Sequence, residues 1–105
     1  MASPKSSGKQ KRLKLLFIRR VIGKSMLPTL KPGQLVLGTG LCRHLHKNAV
    51  VVIRHDNIDK IKRIQGIKNN RLFVIGDNNR SSLDSRSFGW LPVSTVAGRV
   101  IWPRT

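Results

Sequence analysis

The residues that could do chemistry fall into three islands. They are Gly23-Lys24-Ser25-Met26-Leu27-Pro28-Thr29-Leu30, then Asp59-Lys60-Ile61-Lys62-Arg63-Ile64, then Gly76-Asp77-Asn78 running on to Asp84-Ser85-Arg86-Ser87-Phe88-Gly89. A serine hydroxyl is a poor nucleophile until a base stands within hydrogen-bond reach, and that base is a histidine or, in some hydrolases, a neutral lysine. Each island also has a plainer use. Ser25 can cap the turn that ends at Pro28, and Gly-Asp-Asn has the composition of a tight turn after a strand. A lysine on a basic strand is ordinarily solvated and charged, because its usual pKa is about 10.4. Cys42, His44 and His46 alternate, so an extended strand would turn all three one way, yet their spacing matches no standard zinc pattern. Neither a metal nor a cofactor is expected.

Taken together and in this order, the islands resemble the conserved boxes of the type I signal peptidases, serine proteases whose base is a lysine. The resemblance covers roughly Val21 to Arg99, most of the chain. It implies that Ser25 is the nucleophile, since Met26, Pro28, Thr29 and Leu30 match the box around it. It implies that Lys62, first of a Lys-Arg pair on an apolar strand, is the general base, with Lys60 as the rival on the same strand face. Burial and nearby positive charge both lower a lysine pKa; Ile61, Ile64 and Met26 can supply the apolar cover, and Lys60 and Arg63 the like charge. By the same match Ser82 would hydrogen-bond the lysine amine, and Asp84 and Arg86 would form an ion pair holding the loop. The oxyanion hole would use the backbone N–H of Ser25 with a second donor at Gly23, where many relatives carry a Ser or Thr hydroxyl. Met26 and Ile61 would line the substrate site. One departure is Asn79, where the family usually has Arg. No grouping of His, Asp and Ser in the chain resembles a serine triad, which agrees with a lysine mechanism.

The implied activity is that of a serine endopeptidase that removes N-terminal leader or signal sequences from precursor proteins, cutting after small residues. The precursor or leader peptide would bind extended, as a strand added to a sheet edge. A general signal peptidase is one version of this. Another is a soluble maturase of a single precursor, similar to the small proteases that trim the nickel superoxide dismutase precursor. A reading from another class is a non-catalytic, basic nucleic-acid-binding module, with Phe88, Trp90 and Trp102 stacking on bases. Core packing is the preferred role for those aromatics, and nucleic acid is not the expected partner.

Composition bounds these readings. The 105 residues suit one domain. The single cysteine excludes an intrachain disulfide. The net charge of +17 comes from 21 Lys and Arg against four acids, Asp56, Asp59, Asp77 and Asp84, with no Glu. Such a charge favours anionic surfaces, whether lipid or nucleic acid. No apolar run approaches the ~20 residues of a membrane-spanning helix, and no secretory signal peptide is visible. The expected location is therefore cytoplasmic, or peripheral at the inner face of an anionic membrane.

The elements that must position the islands are short β-type runs separated by turn residues. Strands are expected at Ile18 to Ile22, Gln34 to Gly38, Val50 to Arg54, Ile58 to Ile67, Leu72 to Ile75 and Val96 to Trp102, with Lys68-Asn69-Asn70-Arg71 as a hairpin connection. Pro28, Pro32 and Gly33 limit any helix after Ser25 to a turn or two. The expected fold is mainly β: a flexible basic tail over 1–16, then a single compact signal-peptidase-like catalytic domain over 17–105.

Overall fold

A computed structural model of the chain describes residues 16–40, 45–80 and 83–105. The expected tail, apart from Leu16, lies outside them, as do Cys42, His44 and Ser82. Two Asx pairs turn the chain back on itself. Asp56 and Asn57 have φ of 55° and 64°, and Asn69 and Asn70 have φ of 51° and 63°. Two-residue hairpins need left-handed φ at both turn positions, which Asn and Asp tolerate better than most residues. The first pair joins β3 (Val50–His55) to β4 (Ile58–Lys68), and the second joins β4 to β5 (Arg71–Ile75).

Around this meander are added β1 (Phe17–Arg20), β2 (Leu35–Thr39), α1 (Ser85–Phe88), β6 (Leu91–Pro92) and β7 (Val96–Trp102). The strands form one seven-stranded sheet in the order β1-β2-β7-β3-β4-β5-β6, each neighbouring pair antiparallel. The expected strands are present, Val96–Trp102 with both ends as expected and the others with ends shifted by at most two residues. α1 and β6 are additions, and β6 takes up Leu91 and Pro92.

β3 is apolar on both faces because the sheet separates two cores. Val50 and Val52 join Phe17, Val21, Met26, Leu30, Val36 and Val100 on one side, while Val51 and Ile53 join Ile64, Leu72, Val74 and Leu91 on the other. A strand buried on both sides reads as a continuous run rather than an alternation. The first core is closed by a close approach: a Cβ on Gly98 would stand 2.7 Å from the Thr39 carbonyl oxygen and would also collide with the Phe17 ring. Core packing of the aromatics holds for Phe88, which packs against the second core, and needs correction for the tryptophans. Trp102, at the end of β7, is 61% exposed, and Trp90 is 42% exposed, with its ring meeting Phe73 edge-on at 5.3 Å.

Candidate active site

Ser25 rides on the long connection from β1 to β2. Val21 N–H donates to Gln34 O and Gly33 N–H to Val21 O, both at 2.8 Å, which cinches the base of that connection. Inside it, Leu30 N–H donates to Met26 O at 2.9 Å, a single helical turn that Pro28 and Pro32 prevent from extending. Met26 and Leu30 are buried in the first core, at 1% and 0% exposure, so the residue after Ser25 is an anchor. Gly23 has φ +80°, a left-handed conformation that suits glycine and offers no side-chain hydroxyl.

Lys62 comes from β4. Its cross-strand partner is Val51, and that of Lys60 is Ile53, so both lysines project to the face of the second core, while Ile61, opposite Val52, projects to the first. Lys62 is only 4% exposed. Burial is the main cause that lowers its pKa below the usual lysine range. The Asp84 carboxylate opposes that shift, and the Lys60 and Arg86 charges add to it.

β4 runs past its neighbour. Its pairing with β5 covers Arg63 to Lys68 only, so among the described residues no strand pairs with 58–62 on the side away from β3. At this open edge lies a cleft of about 240 Å³ lined by Ser25, Met26, Ile58, Lys60, Ile61, Lys62 and Leu83, among others. That volume falls below the 300 to 1,000 Å³ typical of small-molecule pockets. Five of the residues singled out from sequence, Ser25, Lys62, its rival Lys60, Met26 and Ile61, thus border one space. Met26, being buried, can offer it only a floor.

The third island locks the other two together. Asp77 takes a two-pronged ion pair from Arg63, Nε to Oδ1 at 2.9 Å and a terminal nitrogen to Oδ2 at 2.8 Å, and it accepts from Thr29 Oγ1 at 2.5 Å. Arg63 follows Lys62 and Thr29 belongs to the Ser25 connection, so one carboxylate ties both to the loop after β5. The Arg63 guanidinium is the main reason that Asp77 titrates below the usual carboxylate range. Asn78 adds a second clamp, its N–H donating to Ser25 O at 2.8 Å and its side-chain amide to Lys24 O at 3.0 Å. The sequence assigned these two residues to a turn and gave them no further task.

Asp84 is fully buried and caps α1, accepting from Arg86 N–H at 3.1 Å while its other oxygen accepts from Gly76 N–H at 2.8 Å. The Arg86 guanidinium closes on it, with an N···O distance of 2.6 Å. Arg86 also donates to Asn79 Oδ1 at 3.0 Å, so the unusual Asn79 takes part in the same lock. Ser85 Oγ accepts from Val74 N–H at 2.8 Å and fastens α1 to β5. His46, the described member of the Cys42, His44 and His46 trio, has its Nδ1 2.9 Å from Lys47 O, and among the described residues no group of His, Cys, Asp and Glu could hold a metal ion. Nor is any described helix long and apolar enough to cross a membrane.

Known proteins resemble this chain in sequence. A family model described as signal peptidase, peptidase S26, matches residues 58–104. The mitochondrial ATP-independent inner membrane protease subunit 1b of Arabidopsis thaliana is 30% identical over 115 residues, covering 82% of this chain and 68% of its own length. The mitochondrial inner membrane protease subunit 1 of Xenopus tropicalis is 26% identical over 110 residues, covering 77% of this chain and 66% of its own.

Proposed function

The chain belongs to the signal peptidase family, peptidase S26, and from that premise we propose that it is a serine endopeptidase working through a Ser25/Lys62 dyad. Peptidase chemistry comes with the family; the dyad is our assignment. The observation that carries it is that Lys62, buried and with a depressed pKa, borders the same cleft as Ser25. Lys60 fits the role less well, because it is only half-buried where Lys62 is 4% exposed.

In this mechanism the neutral Lys62 Nζ accepts the Ser25 hydroxyl proton as Oγ attacks the scissile carbonyl. The backbone N–H of Ser25 stabilises the oxyanion, with a second backbone donor at Gly23. The intermediate collapses, Lys62 returns the proton to the leaving amine, and the N-terminal part of the substrate remains as an ester on Ser25. Lys62 then deprotonates the water that hydrolyses that ester. Asp77 and Asn78 hold the nucleophile and base segments together, Asp84 and Arg86 hold the loop behind the lysine, and Ser82 is assigned to the lysine amine.

The substrate is a precursor whose leader lies extended along the open edge of β4, exchanging main-chain hydrogen bonds with it. Small side chains beside the cut are the preference we carry over from the family resemblance. The two relatives are named as inner membrane proteases, and a precursor presented at a membrane surface is the substrate we carry over to this chain. Ser25→Ala removes one hydroxyl and buries nothing new. Cleavage of an alanine-rich leader peptide should therefore fall by roughly 10³-fold or more while the far-UV circular dichroism stays unchanged. Equal kcat/KM in the two proteins, with contaminating protease excluded, would end this reading.

A further inference from the structure

Lys60 lines the cleft with Ser25 and Lys62, yet the proposed reaction gives it no task. It stands two residues before Lys62 on the same face of β4. Its amine is held in place: Nζ lies 3.1 Å from His55 Nδ1 and 5.3 Å from the centre of the Phe88 ring, and the His55 and Phe88 rings pack with centroids 4.2 Å apart. An imidazole nitrogen and an aromatic face both stabilise an ammonium group without neutralising it.

The carboxylates nearby are committed or remote from the cleft. Asp59 lines the cleft but is taken by Arg19 at 3.2 Å and Arg54 at 2.9 Å. Asp56 reaches towards His55, 3.7 Å from its Nδ1, is otherwise largely exposed, and does not line the cleft. Arg20 adds a further positive charge to the cleft wall. The lining therefore carries Arg20, Lys60 and Lys62 against one paired carboxylate. Of the two not assigned to chemistry, Arg20 turns its guanidinium to Gly33 O at 2.9 Å, and Lys60 shares a strand face with Lys62.

We propose that Lys60 determines specificity by selecting an aspartate or glutamate in the precursor, at the position that lies beside it when the leader pairs with the open edge of β4. This rests on the protease reading above. Side chains directly opposite on paired strands share a face, and there opposite charges attract and like charges repel. The selected position lies about two residues along the substrate from the one beside Lys62, because side chains on a strand repeat every second residue.

The test uses the full chain and alanine-rich leader peptides in which a single Glu or Lys is walked through the residues on either side of the cut. At one position the Glu peptide should exceed the Lys peptide in kcat/KM by about 3- to 10-fold, and the preference should shrink in high salt. Lys60→Met should bring that ratio close to one, and Lys60→Glu should invert it. The ratio is the readout, so a change in overall rate caused by the altered charge beside Lys62 does not confuse it. Equal cleavage of Glu and Lys peptides at every position by the wild type, or a Glu preference that survives Lys60→Glu, overturns the proposal while leaving the dyad standing. Failure of the wild type to cleave any of the peptides removes the protease reading, and this one with it.

Discussion

Lys62 is 4% exposed, and Asp84 offsets only part of the pKa lowering that burial causes. The unfolded chain keeps the Lys62 proton up to the ordinary lysine range, whereas the folded chain releases it at lower pH. Between those two points the unfolded state binds more protons, so this residue makes stability climb as pH rises. The same depression would supply the neutral amine that the proposed reaction requires. Cleavage should accordingly rise with pH and level off below the usual lysine range, as a pH–kcat/KM profile will report. Lys62→Met should be inactive, with a Tm at neutral pH no lower than that of the wild type, the difference shrinking as pH approaches the lysine range. Lys62→Arg should be as inactive as Lys62→Met, because a guanidinium keeps its proton in a protein; retained activity in Lys62→Arg would reassign the base. The sequence singled out Ser25 and Lys62 as candidates because each sits in a distinctive box, and the fold brings both to one cleft. The joining role of Asp77 was not, because Arg63 is 14 positions away and Thr29 is 48, and only folding brings them to one carboxylate.

At the level of elements, the site depends on β4 being longer than its partner. The eleven-residue strand pairs with a five-residue β5 over its second half, and among the described residues no strand pairs with the outer edge of its first half, where Ser25 lines the cleft. An extended peptide added there would direct alternate N–H groups to the edge and the others away from it. N-methylation scanned along a leader peptide should therefore weaken KM at every second residue near the cut and have little effect between them. A flat response along the peptide would mean that the substrate does not bind as a strand. Most strands were readable from sequence because β-branched runs end at Asn, Asp, Gly or Pro. The Lys68 to Arg71 hairpin was readable from its two asparagines. α1 and β6 were missed because four and two residues leave no periodicity to detect, and α1 exists through its buried cap, Asp84. The tryptophans were misplaced for a related reason, since composition carries no information on which strand end faces solvent.

For the molecule as a whole, the excess of basic residues concerns location more than fold. A net charge of +17 should bring the chain to anionic vesicles, where each basic residue near the surface contributes about 1 kcal/mol, and the attraction is screened by salt. Co-sedimentation should show binding to phosphatidylserine-containing vesicles at low ionic strength, release at high salt, and little binding to neutral vesicles. Binding that persists through a high-salt wash would point to apolar insertion instead. Such a surface would set where precursors are met, and the cleft would set what is done to them. The most direct test of that chemistry is to trap the covalent intermediate. The chain is mixed with an activated ester of an alanine-ended leader peptide, quenched in acid and mapped by mass spectrometry. The account predicts one acyl group on Ser25 in the wild type, and none in Ser25→Ala or Lys62→Arg. An adduct on another residue, or one formed as readily on Ser25 in Lys62→Arg, would contradict it.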